Sequence, residues 1–229
     1  MDKPLTDLIS IETVDTDGAL RETAAAVEGD TRAAFFRKAG IAGGSLLAGG
    51  VLMGGLPALA GAAPSRRQDV AILNYALTLE YLEAAFYREA VARGRFAGAI
   101  GTFARLVSAH ETAHVAALRG ALGRAAVRSP RFDFGDTTTN EDRFRATSFA
   151  LENTGVSAYA GQAPRIKQTA VLQAAVSIIT IEARHAAAIA ALLGHVTGAN
   201  GVTPNGAFDR ARSMRQVLAI VRGTGFVVA

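Results

Sequence analysis

The 229-residue chain is half hydrophobic, holds no cysteine or tryptophan and only four histidines, and carries a formal net charge of +4. Without cysteine there are no disulfides, iron–sulfur clusters or thiolate zinc sites. Any metal must be held by Asp, Glu and His, donors that suit iron and manganese and that zinc also accepts. Residues 1–63 hold five Lys/Arg against eight Asp/Glu, and residues 64–229 hold 19 against 12. The basic excess is spread as single arginines with no basic cluster interleaved with aromatics, which argues against nucleic acid as a partner.

Residues 1–30 are polar, acidic and without periodicity, the composition of a segment that does not fold by itself. Thr31-Arg32-Ala33-Ala34-Phe35-Phe36-Arg37-Lys38 follows, and then an uncharged run from Ala39 to Ala63 with eight glycines and a small-residue end, Ala58-Leu59-Ala60-Gly61-Ala62-Ala63. A basic segment, an apolar stretch and a small-residue cleavage site make a secretory signal. The segment resembles a twin-arginine export signal, except that Ala33 stands where the second arginine belongs. Export to the periplasm or cell envelope is the expectation, with no membrane contact after cleavage. The competing reading is a retained anchor, since a run of this length can span a bilayer, although its glycines make it a poor helix. The chain therefore divides into 1–63 and a working domain, 64–229.

From Arg66 to Arg93 the residues Leu73, Leu77, Glu80, Ala84, Tyr87 and Val91 recur at helical spacing, and Gly94 ends the pattern. A second helix is predicted from Phe96 to Arg124 with Val107, Glu111, His114 and Leu118 on one face. Residues 125–139, with Pro130, Gly135 and a threonine run, form a long connection. Asn140 caps a third helix ending near Ala160, and Pro164 opens a fourth that runs to Thr197 and stops at Gly198. Ser213 caps a short last helix through Val221. No segment alternates with the period of a strand. The expectation is an all-α, antiparallel four-helix bundle with a long crossover between helices two and three, the connectivity of ferritin-like bundles.

Carboxylates and histidines interrupt the apolar face of each long helix: Glu80 in the first, Glu111 and His114 in the second, Glu152 in the third, Glu182 and His185 in the fourth. Buried carboxylates are costly and repel one another unless a cation balances them. Two divalent ions offset four carboxylates, so one dinuclear site accounts for the whole set. Glu-x-x-His occurs at 111/114 and at 182/185, and positions i and i+3 share a helix face. One Glu from each of two helices and Glu-x-x-His from each of the other two is the donor set of ferritin-like di-metal proteins. The set is also an internal repeat. Glu80 precedes Tyr87 by the same interval as Glu152 precedes Tyr159, and each half of the bundle repeats Glu…Tyr…Glu-x-x-His. Glu111 and Glu182 are candidate bridges between two metals. Tyr87 and Tyr159 are candidate catalytic residues, either hydrogen-bonded to the carboxylates or packed as core aromatics. Glu83 competes with Glu80 for the first-helix ligand, and the matched Tyr interval favours Glu80. His110-Glu111-Thr112-Ala113-His114 also matches the zinc-protease helix motif, but that reading leaves Glu80, Glu152, Glu182 and His185 unexplained. His110 then flanks the site or lies on the surface, and His195 suits a helix C-terminus.

Leu79-Glu80-Tyr81-Leu82-Glu83-Ala84-Ala85-Phe86-Tyr87, Phe132-Asp133-Phe134-Gly135, Leu151-Glu152-Asn153-Thr154-Gly155-Val156-Ser157-Ala158-Tyr159, Ile181-Glu182-Ala183-Arg184-His185 and Ala207-Phe208-Asp209 resemble the bacterial ferritin-like, desiccation-related proteins. The likeness spans about residues 66–225. It implies a metal-binding bundle and leaves the reaction open. The leading expectation is a di-iron site acting on O2 or peroxide in oxidative or desiccation protection. The alternatives are a di-manganese, catalase-like enzyme and a non-enzymatic envelope protein. Phe96 and Phe103, expected to be exposed, suggest a homodimer.

Overall fold

The computed structural model describes residues 67–228. The export signal read from residues 1–63 lies outside the described residues. Four long helices, α1 (Arg67–Glu89), α2 (Gly98–Leu122), α3 (Glu141–Gln162) and α4 (Thr169–Leu192), precede a shorter α5 (Met214–Thr224). Helix α1 packs along α2 and α3 along α4, while α2 meets α4 and α1 meets α3 across the core. The domain is an all-α bundle with the expected crossover. Sequence reading missed one detail: Arg131–Phe132 in the crossover (β1) pairs antiparallel with Val227–Val228 (β2), in the register Arg131↔Val228 and Phe132↔Val227. Two residues per strand are too few to show an alternating pattern, and the pairing exists only because the chain end returns to the crossover.

The helix boundaries follow local chemistry. The Asn140 side chain accepts the Arg143 N–H, so it caps α3, and Ser213 closes a capping box with Gln216 at the start of α5. Helix α4 ends at Leu192 rather than Thr197. The Gly194 N–H donates to the Ala191 carbonyl and the His195 N–H to the Ala190 carbonyl, with Gly194 at φ +75°. This is a Schellman ending, which needs a glycine in the left-handed region, and Gly194 supplies it before Gly198 is reached. His195 is consequently exposed beyond the helix. Pro164 does not open α4. It sits in a single 3-10 turn, Ala163–Arg165, that finishes α3. The entry to α4 is instead held by Asp69 from the first turn of α1, whose buried carboxylate accepts the Lys167 and Gln168 backbone N–H groups at 2.9 Å each.

Two apolar clusters fill the bundle. One, built on Phe86, Tyr87, Phe103, Phe134 and Phe144, lies toward the crossover, and Phe86 stacks on Phe144 with ring centroids 5.4 Å apart. The other, built on Leu73, Leu77, Leu118, Val171 and Ile178, fills the opposite end. Phe103 is thus a core residue and Phe96 packs half-buried against Phe144, so neither supports the dimer reasoned from their exposure. Val91, expected on the buried face, is 43% exposed. It lies in a π-helical turn, Ala90–Gly94, whose extra residue per turn rotates it off that face. Among the described residues α4 alone is long and apolar enough to cross a membrane by length and composition, yet it turns Glu182 and His185 into the core.

Candidate metal centre

Between the two apolar clusters, all four long helices turn polar groups inward. Glu80, Glu111, Glu152 and Glu182 have no exposed surface, and His114 and His185 are 6% and 4% exposed. The six fall into two overlapping groups whose donor atoms lie within 4.8 Å of one another: Glu80, Glu111, His114 and Glu182, and Glu111, Glu152, Glu182 and His185. Glu111 and Glu182 belong to both groups, the geometry a bridging carboxylate requires. Glu80 rather than Glu83 joins the first.

Both histidines turn Nδ1 toward the acids. His114 Nδ1 is 3.2 Å from Glu80, 3.0 Å from Glu111 and 3.2 Å from Glu182. His185 Nδ1 is 3.2 Å from Glu111 and 3.2 Å from Glu152. A single N–H cannot serve three carboxylates. Glu111 Oε1 and both oxygens of Glu182 are buried without a formed hydrogen bond, although His185 Nδ1 and His114 Nδ1 stand 3.2 Å from Glu111 Oε1 and Glu182 Oε1. Such an array of acceptors around a common point fits a cation better than it fits a proton.

The electrostatics agree. Burial, and the neighbouring charge of Glu80, push the Glu111 carboxyl up to about 7 despite His114 and His185. Burial and Glu111 push Glu182 well above the usual carboxylate range. Glu80 shifts the other way: burial opposes it, but His114 and the Tyr159 hydroxyl hold its carboxyl low. For His185, burial disfavours the charged ring, yet contact with Glu111 and Glu152 raises it to about 10. His114 is raised further, since Glu80, Glu111 and Glu182 together outweigh its burial. Without metal, then, the cluster stays buried only by holding protons that a cation would displace.

The tyrosines strap the two halves of the bundle together. The Tyr87 hydroxyl on α1 donates to Glu152 on α3, and the Tyr159 hydroxyl on α3 donates to Glu80 on α1, at 2.5 Å. Burial and then the adjacent carboxylate raise both phenols, so both remain donors. Each fixes one oxygen of a terminal carboxylate and leaves the other for the centre. The exchange across the bundle is invisible in sequence, where each Tyr appears to belong with the Glu on its own helix.

Two further residues border the site. His110 is half-buried, stacks on His185 with centroids 5.1 Å apart, and brings Nδ1 to 2.8 Å from His185 Nε2. It therefore holds the ring nitrogen that faces away from the acids. Because His110 Nδ1 faces His185 and the site is completed from all four helices, the protease motif describes a sequence coincidence. Glu83 is 3% exposed, so it is a buried acid of the core rather than a surface group. Its signal was present in the sequence, one turn beyond Glu80, but one turn alone does not distinguish a buried acid from a boundary one.

No curated protein matches this sequence. A family model described as the ferritin-like domain matches residues 68–195, the span containing all six donors and both tyrosines. With more than half of its length matched to that model, and with this bundle and this buried acid–histidine cluster, the chain belongs to the ferritin-like domain family.

Proposed function

We propose that the bundle holds a dinuclear centre, with iron as its resident metal, and performs redox chemistry on O2 or a peroxide. The observation that carries this reading is the sharing of Glu111 and Glu182 between two donor groups that otherwise contain one Glu and one His each. Four carboxylates match the charge of two divalent cations, and bridging would satisfy the Glu111 and Glu182 oxygens that make no hydrogen bond despite the nearby histidines. Two ferrous ions would supply the electrons for reducing the oxidant. The protein's own residues do the rest. Glu80 with His114 and Glu152 with His185 define the two ends. Tyr159 and Tyr87 fix the outer carboxylates, and His110 holds the far edge of His185. The apolar clusters above and below keep the donors in a low-dielectric layer, which strengthens their hold on a cation.

Manganese accepts the same donors and makes the site catalase-like. Together with the export signal read from residues 31–63, either metal suits a protective role in the cell envelope. The deciding experiment loads the full chain anaerobically with Fe(II) and, separately, with Mn(II), counts ions per chain, and adds peroxide. Close to two irons per chain and bleaching or growth of iron absorption bands on oxidation support the proposal. Oxygen evolution from the manganese-loaded sample alone assigns the centre to manganese. Failure to bind about two ions of either metal overturns it.

A further inference from the structure

The buried acid left over by the two donor groups is Glu83, and its surroundings are specific. It sits on α1 one turn after Glu80. The charges that act on it most strongly are those of Glu182, Glu152, Glu111 and Glu80, all of its own sign. A carboxylate in that position is unfavourable unless a cation is close. Directly across the bundle stands Gly155 on α3. A Cβ added there would lie 3.0 Å from Glu182 Oε2 and 3.5 Å from Glu83 Oε1. Two carboxylate oxygens thus border the space that the missing side chain leaves, one of them from a bridging candidate.

The internal repeat explains the pairing. Aligning Glu80 and Tyr87 of the first half with Glu152 and Tyr159 of the second sets Glu83 opposite Gly155. The two halves agree in their metal donors and their tyrosines but differ here, an acid in one and no side chain in the other. A second acid at 155 would crowd an already acidic layer, and even a methyl group would press on Glu182. The break in symmetry gives Glu83 room on one face of the site.

We infer that Glu83 is a fifth carboxylate ligand of the dinuclear centre, reaching it across the face that Gly155 leaves open. It stands outside the two compact donor groups, so it arrives by rotation about its own side-chain torsions while the other six donors hold the metals. Five carboxylates leave one negative charge against two divalent ions, so this face selects for cations and turns away anions. The centre is asymmetric: its Glu83 face is closed by protein, and an external ligand must enter elsewhere or displace Glu83.

This inference rests on the dinuclear reading, and one experiment separates them. The full chain, its E83Q variant and its E83D variant are titrated with Co(II), whose visible spectrum reports coordination number. Ions per chain, affinity, and the rise in melting temperature on loading are recorded for each. The expected result is near two ions in the native chain. In E83Q one ion should bind at least tenfold more weakly, the Co(II) bands should change in intensity, and the metal-linked rise in melting temperature should be smaller. E83D, which keeps the charge but shortens the reach of the carboxylate, should alter the spectrum in the same direction, and it decides the matter should E83Q not fold. An E83Q or E83D protein with native affinity and a native Co(II) spectrum overturns the role of Glu83 while leaving the centre intact. A native chain that takes up no Co(II) overturns both.

Discussion

Glu111 and His185 illustrate how a single residue's chemistry depends on neighbours far away in sequence. Burial lifts Glu111 to about 7, and the acids around His185 lift its ring to about 10. To act as ligands both must be deprotonated, so protons compete with metal below those values. Metal affinity should therefore rise with pH from about 5 to 8, as Glu111 loses its proton unaided. Throughout that range loading should release at least two protons, because His114 and His185 each still carry one. Calorimetry in buffers of different ionisation enthalpy measures the count. An affinity independent of pH would show that the donors are already deprotonated and would contradict the proton-held cluster described above.

At the scale of elements, the bundle depends on close approaches that only small residues permit. The segment before α5 crosses α3 at Gly161, where an added Cβ would lie 1.8 Å from the Arg212 carbonyl oxygen. Arg212 is fastened there by its backbone N–H to the Ser157 carbonyl at 3.0 Å and by its guanidinium to the Ser157 hydroxyl at 2.9 Å. Gly161→Ala should force the segment off the helix, costing ~1–3 kcal/mol as overpacked sites do. Gly120 in α2 is the contrasting case, with nothing within 4 Å of an added Cβ. Gly120→Ala should be neutral or stabilise by roughly 0.5–1 kcal/mol, since alanine loses less backbone freedom in a helix. Thermal melts of the two variants check the pair, and equal behaviour would refute the crossing geometry. The same reasoning explains why α4 ended early. Helical periodicity continues past Leu192, but Gly194 can take the left-handed turn that satisfies the last carbonyls.

At the largest scale, the described domain is two related halves, α1–α2 and α3–α4, closed around one layer of charge. The tyrosine straps run between the halves, Tyr87 to Glu152 and Tyr159 to Glu80. Each is a buried donor to a carboxylate, so Tyr87→Phe and Tyr159→Phe should each destabilise the chain by ~1–3 kcal/mol. Each should also weaken metal binding by about 10–100-fold, the usual penalty for losing a group that orients a ligand. The two variants should resemble one another because their roles are exchanged by the repeat. A large effect from one and none from the other, read by metal titration and thermal melts, would mean that the halves are not equivalent in holding the centre.

The six metal-donor candidates and the bundle itself were legible in the sequence because helices impose a fixed spacing. Acids and histidines at i and i+3 on an otherwise apolar face can only be inward-facing, and their repetition in two halves marks one shared layer. Helix starts at Asn140 and Ser213 were legible for the same local reason, a side chain bonding to backbone three residues away. What the tertiary structure decided involved partners distant in the chain: which glutamate each tyrosine holds, the hold of Asp69 on the entry to α4, the burial of Phe103, the strand pair of Phe132 with Val227, and the space that Gly155 leaves beside Glu83. Spacing along one helix fixes which face a residue occupies. It carries no information about which side chain another helix presents there, because that depends on the register in which the helices pack.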